Sequence, residues 1–226
     1  RYYAAGLQPR TAVGNPYGDG YYDDFNTAVG LDSAGRTQLH HKGKLVIGVE
    51  NTPTVIFDLM QFLVIDLGGV VGQIGMGQHG TAFAHAGMRM GPAICYEGLY
   101  GDFYGDFVRR GAQFMAIISN DGWWGDTPGY KHLFTISRLR AIEHRRAIAR
   151  SANTGMSGFI SARGDIGETL GWKKRGVISA AVPLNSELTF YTRYGDYLGR
   201  ISEYLTLLCV LYYIAYRVKR KNYLVK

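Results

Sequence analysis

The groups in this sequence best suited to covalent chemistry are one thiol, a pair of lysines and a few acids. Cys95 sits where an apolar, strand-like run, Met90-Gly-Pro-Ala-Ile, gives way to the polar Tyr96-Glu97, a place where a nucleophile is presented. A cysteine attacks as its thiolate, and its pKa of about 8.5 falls beside a cation or a helix N-terminus. Lys42 and Lys44 supply such a cation in a stretch otherwise poor in lysine. A lysine there stabilises the thiolate and then the oxyanion of a tetrahedral intermediate, while a carboxylate takes the proton. Plain readings stand beside these. A free cysteine is commonly a small buried residue, Lys42 a solvated loop charge, and Glu50 and Glu97 structural acids holding loops. The Trp123-Trp124 pair can be core, and Arg138, Arg140, Glu143 and Arg146 one solvated helix face.

The elements that must position these groups follow from local pattern. Residues 1–24, rich in Gly, Pro, Tyr and Asp, predict irregular surface structure. Phe25–Leu31 and Arg36–Leu39 predict two strands joined by the turn Asp32–Gly35, a hairpin that delivers Lys42. Thr52–Leu67 is apolar with only Asp58 and Asp66 charged, and too short to span a bilayer; it predicts a buried helix or a lipid-contacting arm. The glycine-rich stretch Gly68–Gly80 predicts loop. After a strand into Cys95, Gly101–Gly111 predicts a short helix, Phe114–Ser119 a strand buried on both faces, and Asn120–Gly125 a polar, aromatic loop. Apolar residues at helical spacing predict an amphipathic helix from Tyr130 to about Ser151. Gly158–Ser161 and Val177–Val182 predict two more strands, separated by the turn Arg163–Gly167. Interleaved strands and helices give an α/β class or a layered α+β sandwich.

Composition narrows the function classes. The 226 residues, 46% apolar, suit one main globular domain. Five of the seven net positive charges lie in the last ten residues, so the body is nearly neutral and a nucleic-acid partner is not indicated. Cys209 lies in an apolar run far from Cys95, which argues against a structural disulfide between them. Leu198–Val218 has an uncharged core from Tyr204 to Tyr216, clustered tyrosines, and a following basic group of Arg217, Lys219, Arg220 and Lys221. It predicts a transmembrane helix with a cytoplasmic basic tail and the folded domain on the outer side, against the alternative of a terminal helix docked on the core. The chain opens on Arg1 without a start signal, which predicts that an N-terminal part of a longer protein precedes it.

The order HHKGKLVIGVE, GPAICYE, IISNDGWWG and RLRAIEHRR resembles the carbon–nitrogen hydrolase (nitrilase) superfamily, and within it the apolipoprotein N-acyltransferases of the bacterial envelope. Lys42 takes the place of the lysine in the family pattern K-x-x-L-V-P-F-G-E, with Leu45, Val46, Gly48 and Glu50 in register. Cys95, Tyr96 and Glu97 match I-C-Y-E. Ser119, Asn120, Asp121, Trp123 and Gly125 meet S-N-D-x-W-F-G, with Trp124 in place of phenylalanine. Ile47 and Val49 replace the family's proline and phenylalanine, and His132 stands where glutamine is usual.

The resemblance implies a nitrilase-like αββα sandwich over residues 1–197, a transmembrane helix at 198–218 and a basic tail at 219–226. It also implies a Glu-Lys-Cys triad in which Cys95 and Lys42 are catalytic and the glutamate lies upstream of this sequence. Glu50, Tyr96, Glu97, Asn120 and Trp123 are then supporting residues, and Trp124 and His132 contact substrate. No metal or cofactor is implied. The partners are a phospholipid acyl donor and the N-terminal diacylglyceryl-cysteine of lipoproteins, at the bacterial inner membrane with the catalytic domain on the periplasmic side. Two alternatives remain open: a soluble nitrilase-type amidase, and a catalytically inactive membrane-anchored module that binds lipid or lipoprotein.

Overall fold

The computed structural model describes residues 25–46, 50 and 74–224; the segments 1–24 and 52–67 discussed above lie outside them, as do 47–49 and 68–73. The hairpin forms as its sequence predicts. Strands β1 (Thr27–Leu31) and β2 (Thr37–His41) pair antiparallel with Val29 opposite Leu39. The turn closes because Asp32 accepts the backbone N–H groups of Ala34 and Arg36, an Asx-type arrangement.

A six-stranded sheet carries the rest of the body. Its strands are β3 (Phe83–His85), β4 (Met88–Ile94), β5 (Phe114–Ser119), β6 (Ile148–Ala152), β7 (Ser157–Ile160) and β8 (Ile166–Leu170), in spatial order of sequence. The three central strands β4, β5 and β6 run parallel; β3, β7 and β8 are antiparallel to their neighbours. Parallel neighbours need crossovers, and helices α1 (Gly101–Arg109) and α2 (Pro128–His144) supply them. Two crossovers progressing in one direction put both helices on the same face of the sheet. The core lies between: Tyr104, Phe107 and Val108 of α1 and Phe134 and Ala141 of α2 against Met115, Ile117, Ile148 and Ile160. Strand β1 packs against β4 and Gln38 of β2 bonds the backbone of Ala84 in β3, so the hairpin forms a second, two-stranded sheet against the first. The α/β layering is the one expected.

Three expectations change. Strand β5 buries Met115, Ile117 and Ser119, but Ile118 on the alternate face is 46% exposed, so among the described residues only one face is fully covered. The helix predicted to reach Ser151 stops at His144. Arg145 takes the left-handed conformation (φ 50°), and Arg146 turns inward to donate to the carbonyls of Ala112, His144 and Glu187. The residues beyond form β6, whose Ile148 continued the helical apolar pattern by coincidence of spacing. Val177–Val182 is not a strand, and Val177 is 94% exposed. The segment is instead tied at its ends by Lys173 N–H to the Thr154 carbonyl and by Asn185 N–H to that of Gln113, with no strand partner among the described residues. Strands β3 and β8 are additions.

The chain ends in a short helix α3 (Phe190–Tyr194) and a long helix α4 (Tyr197–Leu224), separated only by Gly195 and Asp196. At Gly195 (φ 68°) a side chain would collide with the Asp102 carboxylate, which accepts Asp196 N–H at 3.0 Å. Residues 197–217 of α4 form the one stretch among the described residues long and apolar enough to cross a membrane, with mean hydropathy 1.3 and no residue buried.

Candidate active site

Strand β4 ends at Ile94, and Cys95 opens a tight 3-10 turn, Cys95–Leu99. Cys95 sits in the left-handed region (φ 48°), a conformation costly for any residue with a Cβ. A sharp, strained turn at the end of a parallel strand lifts the thiol off the sheet edge, and the thiol is half-buried. The first N–H groups of such a turn have no partner within it. Strands β5 and β6 end on the same edge, so Asn120 and Asn153 lie at carboxyl ends neighbouring that of β4, where open α/β sheets place their sites.

The geometry is knotted together by Glu97, which is fully buried. One of its carboxylate oxygens accepts Gly43 N–H and the other accepts Ile94 N–H, each at 2.6 Å, and His40 Nε2 lies 3.1 Å from both. Gly43 adjoins Lys42 and Ile94 adjoins Cys95. A single carboxylate therefore fixes the lysine segment against the Cys95 turn. Gly43 must be glycine here, because a Cβ would strike the Phe103 ring. Lys44 adds a second tie, its Nζ lying 5.3 Å from the ring centroids of both Tyr100 and Phe103.

Lys42 is 1% exposed, and its Nζ donates to the two Glu50 oxygens at 2.9 and 2.7 Å. Burial pushes the Glu50 carboxyl up, but the Lys42 ammonium and the donors Val46 N–H and Asn26 Nδ2 outweigh it and hold the pKa below its ordinary value. Each oxygen of Glu50 thus accepts two hydrogen bonds, while Glu97 accepts one backbone N–H on each oxygen and has His40 Nε2 between them. Both carboxylates are already engaged in holding the site together.

The loop after β5 is held by Asp121 rather than by Asn120. Asp121 is fully buried, receives Arg150 Nη2 on both oxygens at 3.0 and 2.9 Å, and accepts the Ser119 hydroxyl at 2.5 Å. Among the described residues the Asn120 carboxamide accepts only Gly122 N–H, at 3.3 Å. Tyr96 is half-buried with its ring edge-on to Tyr100 at 5.6 Å. Trp124 is 47% exposed and covers Gly129 at the start of α2, and His132 is exposed on that helix. Trp123 belongs to the 3-10 turn Gly122–Trp124, and its side chain lies outside the described residues. Sequence reasoning passed over His40, Asp121 and Arg150 as site residues. A lone arginine inside the strand sequence IARSA was the available clue to the Asp121–Arg150 pair.

Comparison with known proteins gives a consistent picture. The carbon-nitrogen hydrolase family matches residues 2–188. An apolipoprotein N-acyltransferase from Chlorobaculum tepidum is 36% identical over 181 residues, covering 77% of this chain and 34% of that protein. One from Verminephrobacter eiseniae is 35% identical over 190 residues, covering 80% and 34%. The chain thus spans about a third of the length of these curated relatives. Among solved structures, an amidase from Nesterenkonia sp. AN1 superposes with TM-score 0.51 at 14% identity, over 80% of this chain and 63% of the other. A nitrilase-superfamily protein from Saccharomyces cerevisiae gives TM-score 0.51 at 17% identity, over 68% and 51%.

Proposed function

The chain belongs to the carbon-nitrogen hydrolase family, and we propose that it is the thiol- and lysine-bearing part of an apolipoprotein N-acyltransferase of the bacterial inner membrane. The observation that carries this is Glu97, whose one carboxylate binds the backbone beside Lys42 and the backbone beside Cys95. The homologues' names support the acyl-transfer direction, and the exposed, apolar α4 supports an anchor beside a lipid donor; in this reading the basic group after the apolar run faces the cytoplasm and the catalytic domain the periplasm.

In this mechanism a base takes the Cys95 proton and the thiolate attacks the ester carbonyl of a phospholipid. Lys42 and the free N–H groups at the start of the Cys95–Leu99 turn hold the oxyanion. The tetrahedral intermediate collapses to an acyl-cysteine thioester, and the lysophospholipid leaves with the proton the base returns. The α-amino group of a lipoprotein's diacylglyceryl-cysteine then attacks the thioester, gives its proton to the base, and departs as the amide while the thiolate is restored. Glu50 is engaged by Lys42 and Glu97 by the backbone beside Lys42 and Cys95, so both are given positioning roles. The base is assigned to a glutamate outside the described residues. Glu50 instead orients Lys42, Trp124 and His132 are assigned to substrate contact, and Trp123 to acyl-chain contact or the entrance.

Mass spectrometry of the full-length protein incubated with phospholipid tests this. One acyl adduct on Cys95 is expected, lost on Cys95→Ala and discharged by a lipoprotein N-terminal peptide. Turnover without any adduct overturns the mechanism.

A further inference from the structure

We propose that His40, in β2, is a positioning residue that sets the orientation of the Glu97 carboxylate through a single Nε2–H donor, and thereby the register of Lys42 against Cys95. The activity readout rests on the acyl-transfer reading; the structural argument does not.

His40 is 1% exposed, so it has no path to a substrate. Period-two alternation along β2 turns it inward, while its neighbour His41 meets Thr27 Oγ1 at 2.8 Å. The inward ring lies edge-on to Phe107 at 4.8 Å and brings Nε2 to 3.1 Å from both Glu97 oxygens. Its other nitrogen, Nδ1, is buried with no hydrogen-bond partner among the described residues. The residue therefore works through one nitrogen.

That nitrogen does something the other donors cannot. The Gly43 and Ile94 N–H groups each bind one oxygen of Glu97. The last torsion of a glutamate side chain is soft, so two single contacts leave the carboxylate plane free to rock. A third donor shared between both oxygens fixes the plane. Because the oxygens hold the backbone on either side of the site, rocking would be transmitted to Lys42 Nζ and Cys95 Sγ together. Carboxylates already carrying two backbone N–H bonds are acceptors, so Nε2 is the donor in this contact.

The experiment compares the full-length protein with His40→Gln and His40→Phe, in detergent with dispersed phospholipid, reading the rate of Cys95 acylation and the KM for the donor. A glutamine amide can place its N–H where Nε2 stood; phenylalanine fills the volume without a donor. His40→Phe is expected to slow acylation about 10- to 100-fold with KM within about twofold, and His40→Gln to recover to within about fivefold of the unmodified protein. A folded His40→Phe protein at the unmodified rate overturns the proposal, as does His40→Gln no faster than His40→Phe. If His40→Phe does not fold, nitrogen NMR of labelled histidine in the unmodified protein decides: a protonated Nε2 supports the assignment, and a bare Nε2 with protonated Nδ1 overturns it. If the unmodified protein forms no adduct, the acyl-transfer reading fails by itself. Alkylation of Cys95 by iodoacetamide then tests His40 separately, with equal rates in the unmodified and His40→Phe proteins counting against it.

Discussion

The backbone at Cys95 is as informative as its thiol. A residue with a Cβ held at φ 48° stores about 1–2 kcal/mol that a glycine would not. Cys95→Ala and Cys95→Gly should both abolish the acyl adduct, yet in urea unfolding Cys95→Gly should be at least as stable as Cys95→Ala, by up to about 1 kcal/mol after glycine's own entropic cost. A glycine variant markedly weaker than the alanine variant would show that the turn is not held in the left-handed region. Cys95, Lys42, Glu50 and Glu97 were legible because each lies in a short run of linear pattern. His40 was not, because its meaning depends on Glu97, 57 residues away, and nothing local marks a histidine that will be buried against a carboxylate. Asn120 drew attention for the same local reason, while its neighbour Asp121 carries the buried contact.

Among the elements, the central strands depend on one buried ion pair. Arg150 of β6 reaches back to Asp121 at the end of β5, and both are almost wholly enclosed. Arg150→Met leaves an unpaired buried carboxylate and should lower stability by about 3–5 kcal/mol in denaturant unfolding, and adding Asp121→Asn should recover part of that loss. No recovery would locate the damage in packing instead of charge. Helix α2 is tied to α3 by His144 Nδ1 and Thr192 Oγ1 at 2.9 Å. Burial, helped by the Arg140 guanidinium, holds the His144 pKa down to about 3, against 6.5 in an open chain. The unfolded chain therefore takes up the proton first, so this contribution is full above about pH 6.5 and is lost as the pH falls toward about 3. His144→Asn, which keeps a polar group facing Thr192, should flatten the decline in thermal stability across that window; an unchanged slope would assign it to other groups. The hairpin, α1 and β5 were readable from periodicity and glycine punctuation. The end of α2 was not, because the stop comes from Arg145 in a left-handed cap and Arg146 turning inward, with no glycine or proline to announce it.

For the whole molecule, the proposed lipid anchor is directly testable. Deleting residues 197–226 should move the chain from the detergent phase to the aqueous phase on temperature-induced partition, with its circular dichroism otherwise that of the folded body; retention in detergent would point to a second lipid-binding surface. The apolar terminal run was the easiest global feature to foresee, since length and hydropathy suffice. The join was not foreseeable. Helix α4 begins two residues after α3, with the Gly195 bend packed on Asp102 and Asp196 N–H held by the same carboxylate. Asp102 belongs to α1, the helix that follows the Cys95–Leu99 turn. Under the proposed anchoring this join would act as a gauge of altitude: it would keep Cys95 at a set height over the headgroups, leaving the domain little room to wander from the proposed donor. A flexible insertion between Gly195 and Asp196 would spare the thiol's intrinsic reactivity and let that height drift.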